Sequence, residues 1–245
     1  MDSGFYAACT ALVSRTQALD TIANNLANAS TVGFRSERNV FRSVMASASA
    51  ASGSPLDRAV NSYGILGGTT LDQSQGALEK TGNDLDMAIE GKGYFVVKTA
   101  SGEMYTRNGA FQVSNGGQMT TSNGDPVIGD RGAITIQPGR VSISADGTIS
   151  SNGAVAGKLK VVEFPAGTEL SSLGNTYYSA PANTAVDAAH SSVRQGMLES
   201  SNVNPVNSMV ELINAQRTAE MMQRALGMMG TEMDKTASQE LSKVS

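Results

Sequence analysis

The sequence predicts an α+β fold in which N- and C-terminal α-helices pair in a coiled-coil-like stalk, with an antiparallel β domain inserted between them. Three observations lead to this prediction. Apolar residues recur at helical spacing near both ends, short alternating runs fill the middle, and Asn-Gly or Asp-Gly pairs separate those runs. We expect a terminal helical domain at residues 1–44 and 200–245, a flexible linker at 45–68 and a β domain at 69–199.

The first helix is predicted over residues 3–28, because apolar or small side chains recur there at alternating steps of four and three. That spacing is typical of a coiled-coil seam. Its members are Phe5, Cys9, Leu12, Thr16, Leu19, Ala23 and Leu26, and Ile22 widens the stripe near its end. A helix with so narrow an apolar stripe is only marginally stable alone, so it needs a partner helix.

The first helix is expected to end near Asn28. Asn24, Asn25 and Asn28 are unfavourable in helix interiors and favourable at helix ends, and Gly33 follows soon after. Local capping explains at least one of these asparagines.

The segment after the helix changes character twice. Arg35, Arg38 and Arg42 are mixed with Glu37, and we interpret them as a solvated face; a docking surface for an acidic neighbour is the alternative. From residue 46 to residue 54, every residue is Ala, Ser or Gly. Such a stretch buries too little apolar area to offset the entropy of ordering it. Residues 45–68 are therefore predicted to be a flexible linker or long loop in the isolated molecule, which assembly can order.

The middle of the chain has the pattern of an antiparallel β domain. Apolar runs lie at 87–89, 94–97, 133–136, 141–143 and 159–164. Five dipeptides of the hairpin type fall between residues 108 and 153, namely Asn108-Gly109, Asn115-Gly116, Asn123-Gly124, Asp146-Gly147 and Asn152-Gly153. Such pairs supply the positive φ angles of type I′ turns. Strands at this spacing indicate a sandwich or an irregular barrel.

The last segment is predicted to be helical, with Asn204 as the N-cap and Pro205 at the first helical position, where its missing N–H costs nothing. A stripe at steps of three or four follows, formed by Met209, Leu212, Gln216, Ala219, Met222, Leu226, Met229 and Met233, with Ala237 and Leu241 beyond. Methionine packs against surfaces of differing shape. The pattern leaves two interpretations open, an ordinary helix core and a repeated contact between molecules.

Composition excludes several classes of function. Among 245 residues there are one Cys, one His and no Trp, which rules out a disulfide framework and the usual His and Cys zinc sites. A net charge of −4 argues against nucleic acid as a partner. No window approaches the roughly 18 apolar residues of a membrane span, and the first residues lack the basic region of a secretory signal. We expect no metal and no cofactor.

Two functional alternatives rest on residues of the β domain. Asp84 and Asp86 are the nearest approach to the paired carboxylates of a glycan-cleaving enzyme, but such acids are usually solvated or capping groups. Tyr177 and Tyr178 would suit a carbohydrate-binding surface module, although a strand edge explains this pair equally well.

Each terminal helix has one narrow apolar face, and the simplest way to bury both faces is for the two helices to pack on each other. A two-helix stalk leaves Ala- and Met-rich surface uncovered, which predicts further helices from neighbouring copies. Head-to-tail contacts of this kind build a helical filament when the rotation does not close. The arrangement therefore predicts a self-assembling homo-oligomer.

Three parts of the chain resemble bacterial flagellar rod and hook proteins. Residues 23–34, ANNLANASTVGF, resemble the N-terminal signature of that family. SNVNPV at 201–206, leading to QRTAE at 216–220, resembles its C-terminal signature, and AIEGKGYFVV at 88–97 with YTRNG at 105–109 resembles its β domain. The chain is too short for the extra outer domains of a hook protein, and it resembles the proximal-rod class more than the distal-rod class.

The resemblance implies a structural, non-enzymatic subunit of the flagellar basal-body rod, the periplasmic drive shaft that transmits motor torque to the hook. It implies unfolded export through the flagellar type III apparatus without a cleaved signal peptide, and partners that are further copies and other rod subunits. It implies no nucleic acid, no small-molecule substrate and no integral membrane segment. The residues expected at the assembly interface are Phe5, Leu12, Leu19, Ile22, Asn24, Asn25, Leu26, Asn28, Gly33, Phe34, Asn202, Asn204, Met209, Leu212, Gln216, Arg217, Met222, Leu226 and Met229.

Overall fold

A computed structural model describes residues 2–43, 64–188 and 190–241 of the chain. The chain divides into two compact units. The helical unit consists of Met1–Leu26, Glu37–Thr69 and Asn204–Ser245, and the β unit consists of Ala27–Ser36 and Thr70–Val203. Helices and antiparallel strands occur together, so the α+β class is confirmed. Residues 28–36, which follow the first helix, therefore belong to the β unit.

Helix α1 spans Asp2–Ala27 and helix α2 spans Pro205–Leu241. Helix α1 ends one residue before Asn28, as predicted. The carbonyl and the side-chain oxygen of Asn28 accept hydrogen bonds from the backbone N–H and the hydroxyl of Thr31. This turn stops the helix by local capping. Neither helix, over its described residues, is long and apolar enough to cross a membrane.

The start of α2 agrees with its predicted cap. The carboxamide oxygen of Asn204 accepts hydrogen bonds from the N–H groups of Val206 and Asn207, both at 3.1 Å. The N–H of Ser208 donates to the Asn204 carbonyl at 3.0 Å, which is the first bond of the helix. Asn204 is therefore the N-cap, and Pro205 takes the first helical position.

The helical unit also contains most of a two-stranded sheet. Strand β1 spans Glu37–Ser43 and pairs with strand β2, Gly64–Leu71. Strand β2 begins inside the range predicted as a flexible loop, because Ile65, Thr69 and Thr70 favour extended structure. The earlier part of that predicted loop, up to residue 63, lies outside the described residues.

The β unit is built from antiparallel strand pairs over its described residues. Strands β3 to β19 are, in chain order, Leu78–Lys80, Met87–Glu90, Tyr94–Thr99, Gly102–Thr106, Gln112–Val113, Met119–Thr120, Ile128–Gly129, Gly132–Ala133, Val141–Ile143, Thr148–Ser151, Ala154–Lys158, Val161–Glu163, Ser171–Ser172, Tyr177–Ser179, Val186–Asp187, Ser192–Gln195 and Met197–Glu199. The largest sheet has six strands in the order β15-β16-β6-β5-β14-β17. A three-stranded sheet, β11-β12-β13, and several two-stranded ladders complete the unit.

Two apolar clusters lie on opposite sides of strand β5. Phe95 and Val97 belong to the larger cluster, whereas Tyr94 and Val96 belong to the smaller one. Side chains alternate between the two faces of a strand, so the large sheet is buried on both faces at this position. This explains why the run at 94–97 is continuously apolar.

The apolar run at 133–136 is only partly a strand, since β10 ends at Ala133. Ile134 and Ile136 are nevertheless buried in the larger cluster. The Ile134 carbonyl accepts a hydrogen bond from the N–H of Met119, and the N–H of Ile136 donates to the Gly117 carbonyl. These residues are apolar because of burial, without belonging to a regular ladder.

One predicted turn pair, Asn152-Gly153, has the positive φ angles of a type I′ turn. Its φ values are 52° and 84°, and it links β12 directly to β13. In the other three hairpin pairs the turn has a single residue with positive φ, which is Gly117, Gly124 or Gly147. The expectation of type I′ geometry is wrong for those pairs, because glycine alone supplies the positive φ in each.

Asn108-Gly109 does not form a hairpin turn at all. Neither residue has positive φ. Glycine is needed at 109 for a different reason, because a Cβ atom there would overlap the carbonyl of Met87. The Met87 N–H donates to the Gly109 carbonyl at 3.0 Å, so the two backbones run in direct contact.

Candidate functional site: helix faces and the docked segment

Helix α2 has apolar residues on two opposite faces. Its buried and half-buried positions recur at steps of four and three, at Ser208, Leu212, Ala215, Ala219, Met222 and Leu226. A second set of large apolar side chains is at least 49% exposed on the opposite side and consists of Val206, Val210, Ile213, Met221 and Met228, while Met209, 53% exposed, lies between the two sets. At about 100° per residue, the two sets are centred roughly 180° apart around the helix axis. We call the second set the exposed face of α2; Arg217 and Arg224 lie between its members.

Helix α1 buries a different stripe from the predicted seam. Ser14 and Ala18 are its most buried described side chains. The half-buried residues Ala11, Ile22 and Asn25 continue the same stripe along the helix. Small side chains at the centre of a buried stripe allow another backbone to come close, which large ones would prevent.

The predicted seam of α1 is rotated away from that stripe. Leu12, Leu19 and Leu26 are half-buried, and Thr16 and Ala23 are exposed. The leucines therefore keep accessible apolar surface on this helix, beside the stripe of small residues.

Asn25 connects α1 to strand β1 within the helical unit. Its Nδ2 donates to the carbonyl of Glu37 at 2.8 Å, and its Oδ1 accepts from the N–H of Glu37 at 2.9 Å. One turn earlier, the Thr21 hydroxyl donates to Oδ1 of Asn39 at 3.1 Å. The carboxamide of Asn25 thus satisfies both backbone groups of one strand residue, as a paired strand would.

Residues 28–36, which we call the docked segment, come closest to the rest of the β unit at Gly33. Gly33 has φ of 70°, and a Cβ atom there would overlap the backbone of Arg107 and Asn108. Its N–H donates to the carbonyl of Glu199 at 2.7 Å. Glycine is required at this position because it combines positive φ with so close an approach. The next residue, Phe34, is buried.

Three charged side chains are buried side by side in the β unit. Arg35 Nη1 lies 2.6 Å from Glu199 Oε1, and Arg107 Nη1 lies 3.1 Å from Glu199 Oε2. Arg107 also donates to the carbonyls of Ile89 at 3.3 Å and Gly91 at 2.7 Å. We call Arg35, Arg107 and Glu199 the charge cluster. Two cations share one anion, so its net charge is positive.

The two arginines of the cluster are not equally supported. The ring of Tyr94 lies 4.9 Å from the guanidinium carbon of Arg107, in a cation–π contact. For Arg35, the ion pair with Glu199 is the one polar contact of the guanidinium among the described residues, and its geometry is not that of a hydrogen bond. Burial lowers the pKa of Arg107 below its ordinary value, and the Glu199 carboxylate opposes that shift. Arg35 depends on Glu199 for its compensating charge.

The hydroxyl of Tyr178 holds the backbone on either side of Phe34. It accepts a hydrogen bond from the N–H of Arg35 at 3.0 Å and donates to the carbonyl of Gly33 at 3.4 Å. Burial raises the pKa of Tyr178 above its ordinary value, and the hydrogen bond from Arg35 opposes the shift. The hydroxyl is therefore protonated at neutral pH and able to make both contacts.

Asn202 joins the docked segment to the loop between β2 and β3. Its Oδ1 accepts from the N–H of Ser36 at 2.7 Å, and its Nδ2 donates to the carbonyls of Asp72 at 3.0 Å and Ser74 at 3.1 Å. The N–H of Asp72 donates in turn to the Ser36 carbonyl at 2.8 Å. One side chain thus satisfies backbone groups of two segments that are distant in sequence.

The structure separates the predicted interface residues into several groups. Those bonded or packed within the chain are Asn25, Asn28, Gly33, Phe34, Asn202 and Asn204. Half-buried apolar residues of the helices are Leu12, Leu19, Ile22, Leu26, Leu212, Met222 and Leu226, while Asn24, Met209, Gln216 and Arg217 are exposed. The side chains of Phe5 and Met229 lie outside the described residues.

Sequence reasoning missed the charge cluster. The prediction of a solvated face is wrong for Arg35, which is fully buried against Glu199, whereas Arg38 is exposed and the Arg42 side chain lies outside the described residues. No local spacing pairs Arg35 with a partner so distant in the sequence. The available signal was its position directly after Gly33 and Phe34, both expected to be in contact.

The residues considered for a glycan-cleaving site and for a carbohydrate-binding surface are poorly placed for those roles. Asp86 is buried and its Oδ1 accepts from Nδ2 of Asn83 at 3.0 Å, whereas Asp84 is exposed. Tyr177 and Tyr178 are both buried, so they form no exposed platform for a sugar ring. Within the described part of the chain, no group of three or more His, Cys, Asp or Glu side chains could hold a metal ion.

Three protein-family models match parts of the chain. The one described as "Flagella basal body rod protein" matches residues 5–35, and the one described as "Flagellar hook protein FlgE/F/G D1 domain" matches residues 88–151. The one described as "Flagellar basal body rod FlgEFG protein C-terminal" matches residues 194–240. The three matched ranges include Arg35, Arg107 and Glu199 respectively.

Curated relatives match over most of the chain. It is 34% identical to the flagellar basal-body rod protein FlgF of Caulobacter vibrioides over the whole of both chains. It is 36% identical to the flagellar basal-body rod protein FlgF of Salmonella typhimurium over 92% of this chain and 93% of that protein. It is 34% identical to the flagellar basal-body rod protein FlgG of Bacillus subtilis over 81% of this chain and 84% of that protein.

Proposed function

The chain belongs to the flagellar basal-body rod protein family, and we propose that it occupies a proximal position in the rod. As a member of that family it is a structural component of the flagellar basal body and not an enzyme. The similarity to proteins named FlgF, which extends over at least 92% of the chain in the two relatives above, supports the proximal position. A distal-rod position is the alternative.

The exposed face of α2 is the observation that best supports assembly through the terminal helices. Burying apolar surface contributes about 25 cal/mol per Å², and a row of large apolar side chains along one helix is unusual on a protein that works alone. The opposite face of α2 is already covered. A helix that is apolar on two opposite faces fits between two layers of protein.

We propose a separate role for each face. Leu212, Met222 and Leu226, on the covered face, pack against α1 in a coiled-coil-like pair within the subunit. The exposed face, with Arg217 among its members and Met209 at its margin, contacts the terminal helices of neighbouring subunits. Leu12, Leu19 and Leu26 contribute the matching apolar surface from α1.

The assembled rod would transmit torque through these helix contacts. Close-packed side chains have low compressibility and transmit strain, so interlocked helices make a stiff shaft. We propose that the chain is exported unfolded through the flagellar type III apparatus without a cleaved signal peptide. It then assembles in the periplasm with further copies and with other rod subunits.

Ile213→Asp tests the role of the exposed face. We expect the variant to be exported and to keep its helical content, but to be absent from purified basal bodies and to leave cells non-motile. Gln223→Asp is the matched control, because Gln223 is also exposed on α2 but lies outside the exposed face. Normal incorporation of Ile213→Asp would disprove the proposed contact.

The position in the rod is tested by imaging basal bodies from cells that lack this gene. A rod interrupted near its base supports the proximal position. A rod of nearly normal length that stops short of the hook would indicate the distal position. Restored rods after expression of the intact chain provide the control.

A further inference from the structure

We propose that the charge cluster makes docking of residues 28–36 conditional on the C-terminal part of the β unit, so that the docked segment is held only when Glu199 is in place. Glu199 is the last residue of β19, which pairs with β3. The coupling joins the first and the last segments of the β unit. The contacts that produce it lie inside the β unit and are independent of the position in the rod.

Besides its hydrogen bonds with Tyr178 and Asp72, the docked segment makes polar contacts with Glu199 and Asn202. The Gly33 N–H donates to the Glu199 carbonyl, and the Arg35 guanidinium pairs with the Glu199 carboxylate. The Ser36 N–H donates to Asn202 at 2.7 Å. Gly33, Arg35 and Ser36 thus all contact one short stretch of chain, and removing that stretch removes the three contacts together.

The Glu199 carboxylate compensates the charge of two buried arginines, so its loss would cost more than the loss of one hydrogen bond. Without its carboxylate, Arg35 and Arg107 would be two neighbouring cations in an interior site. Burying a charge without a partner is strongly unfavourable, and a second cation nearby increases the cost. Burial and the nearby positive charge of Arg35 both lower the pKa of Arg107, because like charges repel.

The two arginines differ in what remains to them when Glu199 is absent. Arg107 keeps the carbonyls of Ile89 and Gly91 and the ring of Tyr94. The Arg35 guanidinium keeps no polar partner among the described residues. Arg35 is therefore the cation that leaves, and it takes the docked segment with it while the sheets stay folded.

This coupling sets the order in which segments of the β unit fold. Glu199 follows all six strands of the largest sheet in the sequence, so that sheet can form before Glu199 is available when folding starts from the N-terminal side. An incomplete chain keeps residues 28–36 undocked. Docking of residues 28–36 therefore requires that strand β19 has already been added to the β unit.

Hydrogen exchange of the full-length chain tests the coupling. Glu199→Gln keeps the shape of the side chain and an acceptor for the Gly76 N–H, which donates to Glu199 at 2.9 Å, but it removes the charge. We expect the Gly33 and Ser36 amides to exchange about a hundredfold faster or more. The amides of Val96 and Val97 in β5 should be unchanged.

The same substitution in an Arg35→Met background separates coupling from a general loss of stability. With the cation of the docked segment removed, Glu199→Gln should change exchange at Gly33 by less than about threefold. An equal effect in both backgrounds, or no effect in either, would overturn the proposal. So would faster exchange spread evenly through β5, because the cluster would then stabilise the whole unit and not the segment.

A Glu199→Gln chain that fails to fold still leaves a decisive comparison. The proposal then requires the Arg35→Met/Glu199→Gln double variant to fold with Val96 and Val97 protected, because the unsupported cation is gone. A double variant that is also unfolded would overturn it.

Discussion

The carboxamide of Asn25 hydrogen-bonds both backbone groups of Glu37, with its donor and acceptor 2.8 and 2.9 Å from their partners. The first residue of β1 is therefore fixed to the last turns of α1 within the helical unit. Aspartate is nearly isosteric with asparagine but lacks the N–H donor, so this position discriminates between two similar side chains.

Asn25→Asp should destabilise the helical unit more than Asn25→Ala. An aspartate carboxylate faces the Glu37 carbonyl without a donor, and a lost bond of this kind costs about 1–3 kcal/mol when a polar group is left unsatisfied. Hydrogen exchange at Glu37 and thermal unfolding measure the effect. Gln17→Ala, at an exposed position of the same helix, is the control. If Gln17→Ala lowered the free energy of unfolding as much as Asn25→Asp does, the prediction would be contradicted.

Gly33→Ala should cost clearly more than Gly82→Ala. Both glycines have similar positive φ, 70° and 78°, but a Cβ atom at Gly82 has no neighbour within 4 Å, whereas at Gly33 it overlaps backbone. We expect about 1 kcal/mol for Gly82→Ala from backbone strain alone, and about 1–3 kcal/mol more for Gly33→Ala from overpacking. Chemical denaturation gives both values. Equal costs would mean that the segment shifts freely.

Asn204→Ala should shorten the ordered start of α2 and cost about 1 kcal/mol, because two N–H groups lose their acceptor. Asn204→Asp should retain the cap and add a favourable interaction with the helix dipole. Asn207→Ala is the matched control, since only its backbone N–H takes part in the cap. The amide exchange rates of Val206 and Asn207 report the outcome, and unchanged rates in Asn204→Ala would disprove the role.

Tyr178→Phe should change how stability depends on alkaline pH. Burial raises the pKa of Tyr178 in the folded state, so its contribution is fully present below the unfolded value of about 10 and is lost as the pH rises above it. The variant should therefore lose stability less steeply above pH 10 than the parent chain. Urea unfolding across that range measures the slopes, and identical slopes would contradict the prediction.

The same variant has a cost at neutral pH. The N–H of Arg35 loses its acceptor, which should lower the free energy of unfolding by about 1 kcal/mol. Tyr105→Phe should cost less, because Tyr105 is only half-buried whereas Tyr178 is fully buried.

Features that depend on neighbours in sequence could be predicted well. The end of α1 at Ala27 and the cap at Asn204 follow from backbone groups within a few residues. The antiparallel β class followed from short alternating runs and glycine turns. The type I′ geometry was overestimated, since a glycine next to an asparagine can supply the positive φ alone, as Gly124 does.

Features that depend on distant partners could not be predicted. The seam of α1 was predicted from apolar residues, but the most buried side chains of the helix are Ser14 and Ala18, which lie outside that seam. Small side chains are buried there because they let another backbone approach the helix closely. Arg35 has the sequence context of a surface residue. Only the tertiary fold brings it to Glu199, and no spacing rule contains that distance.

The edges of the six-stranded sheet have a consequence for how copies can meet. The outermost strands, Ser171–Ser172 and Val186–Asp187, are only two residues long. Strands this short offer too few free N–H and C=O groups to template another chain. Strand addition at this sheet is therefore disfavoured, and crowded subunits can lie side by side here without fusing into a continuous β-ribbon.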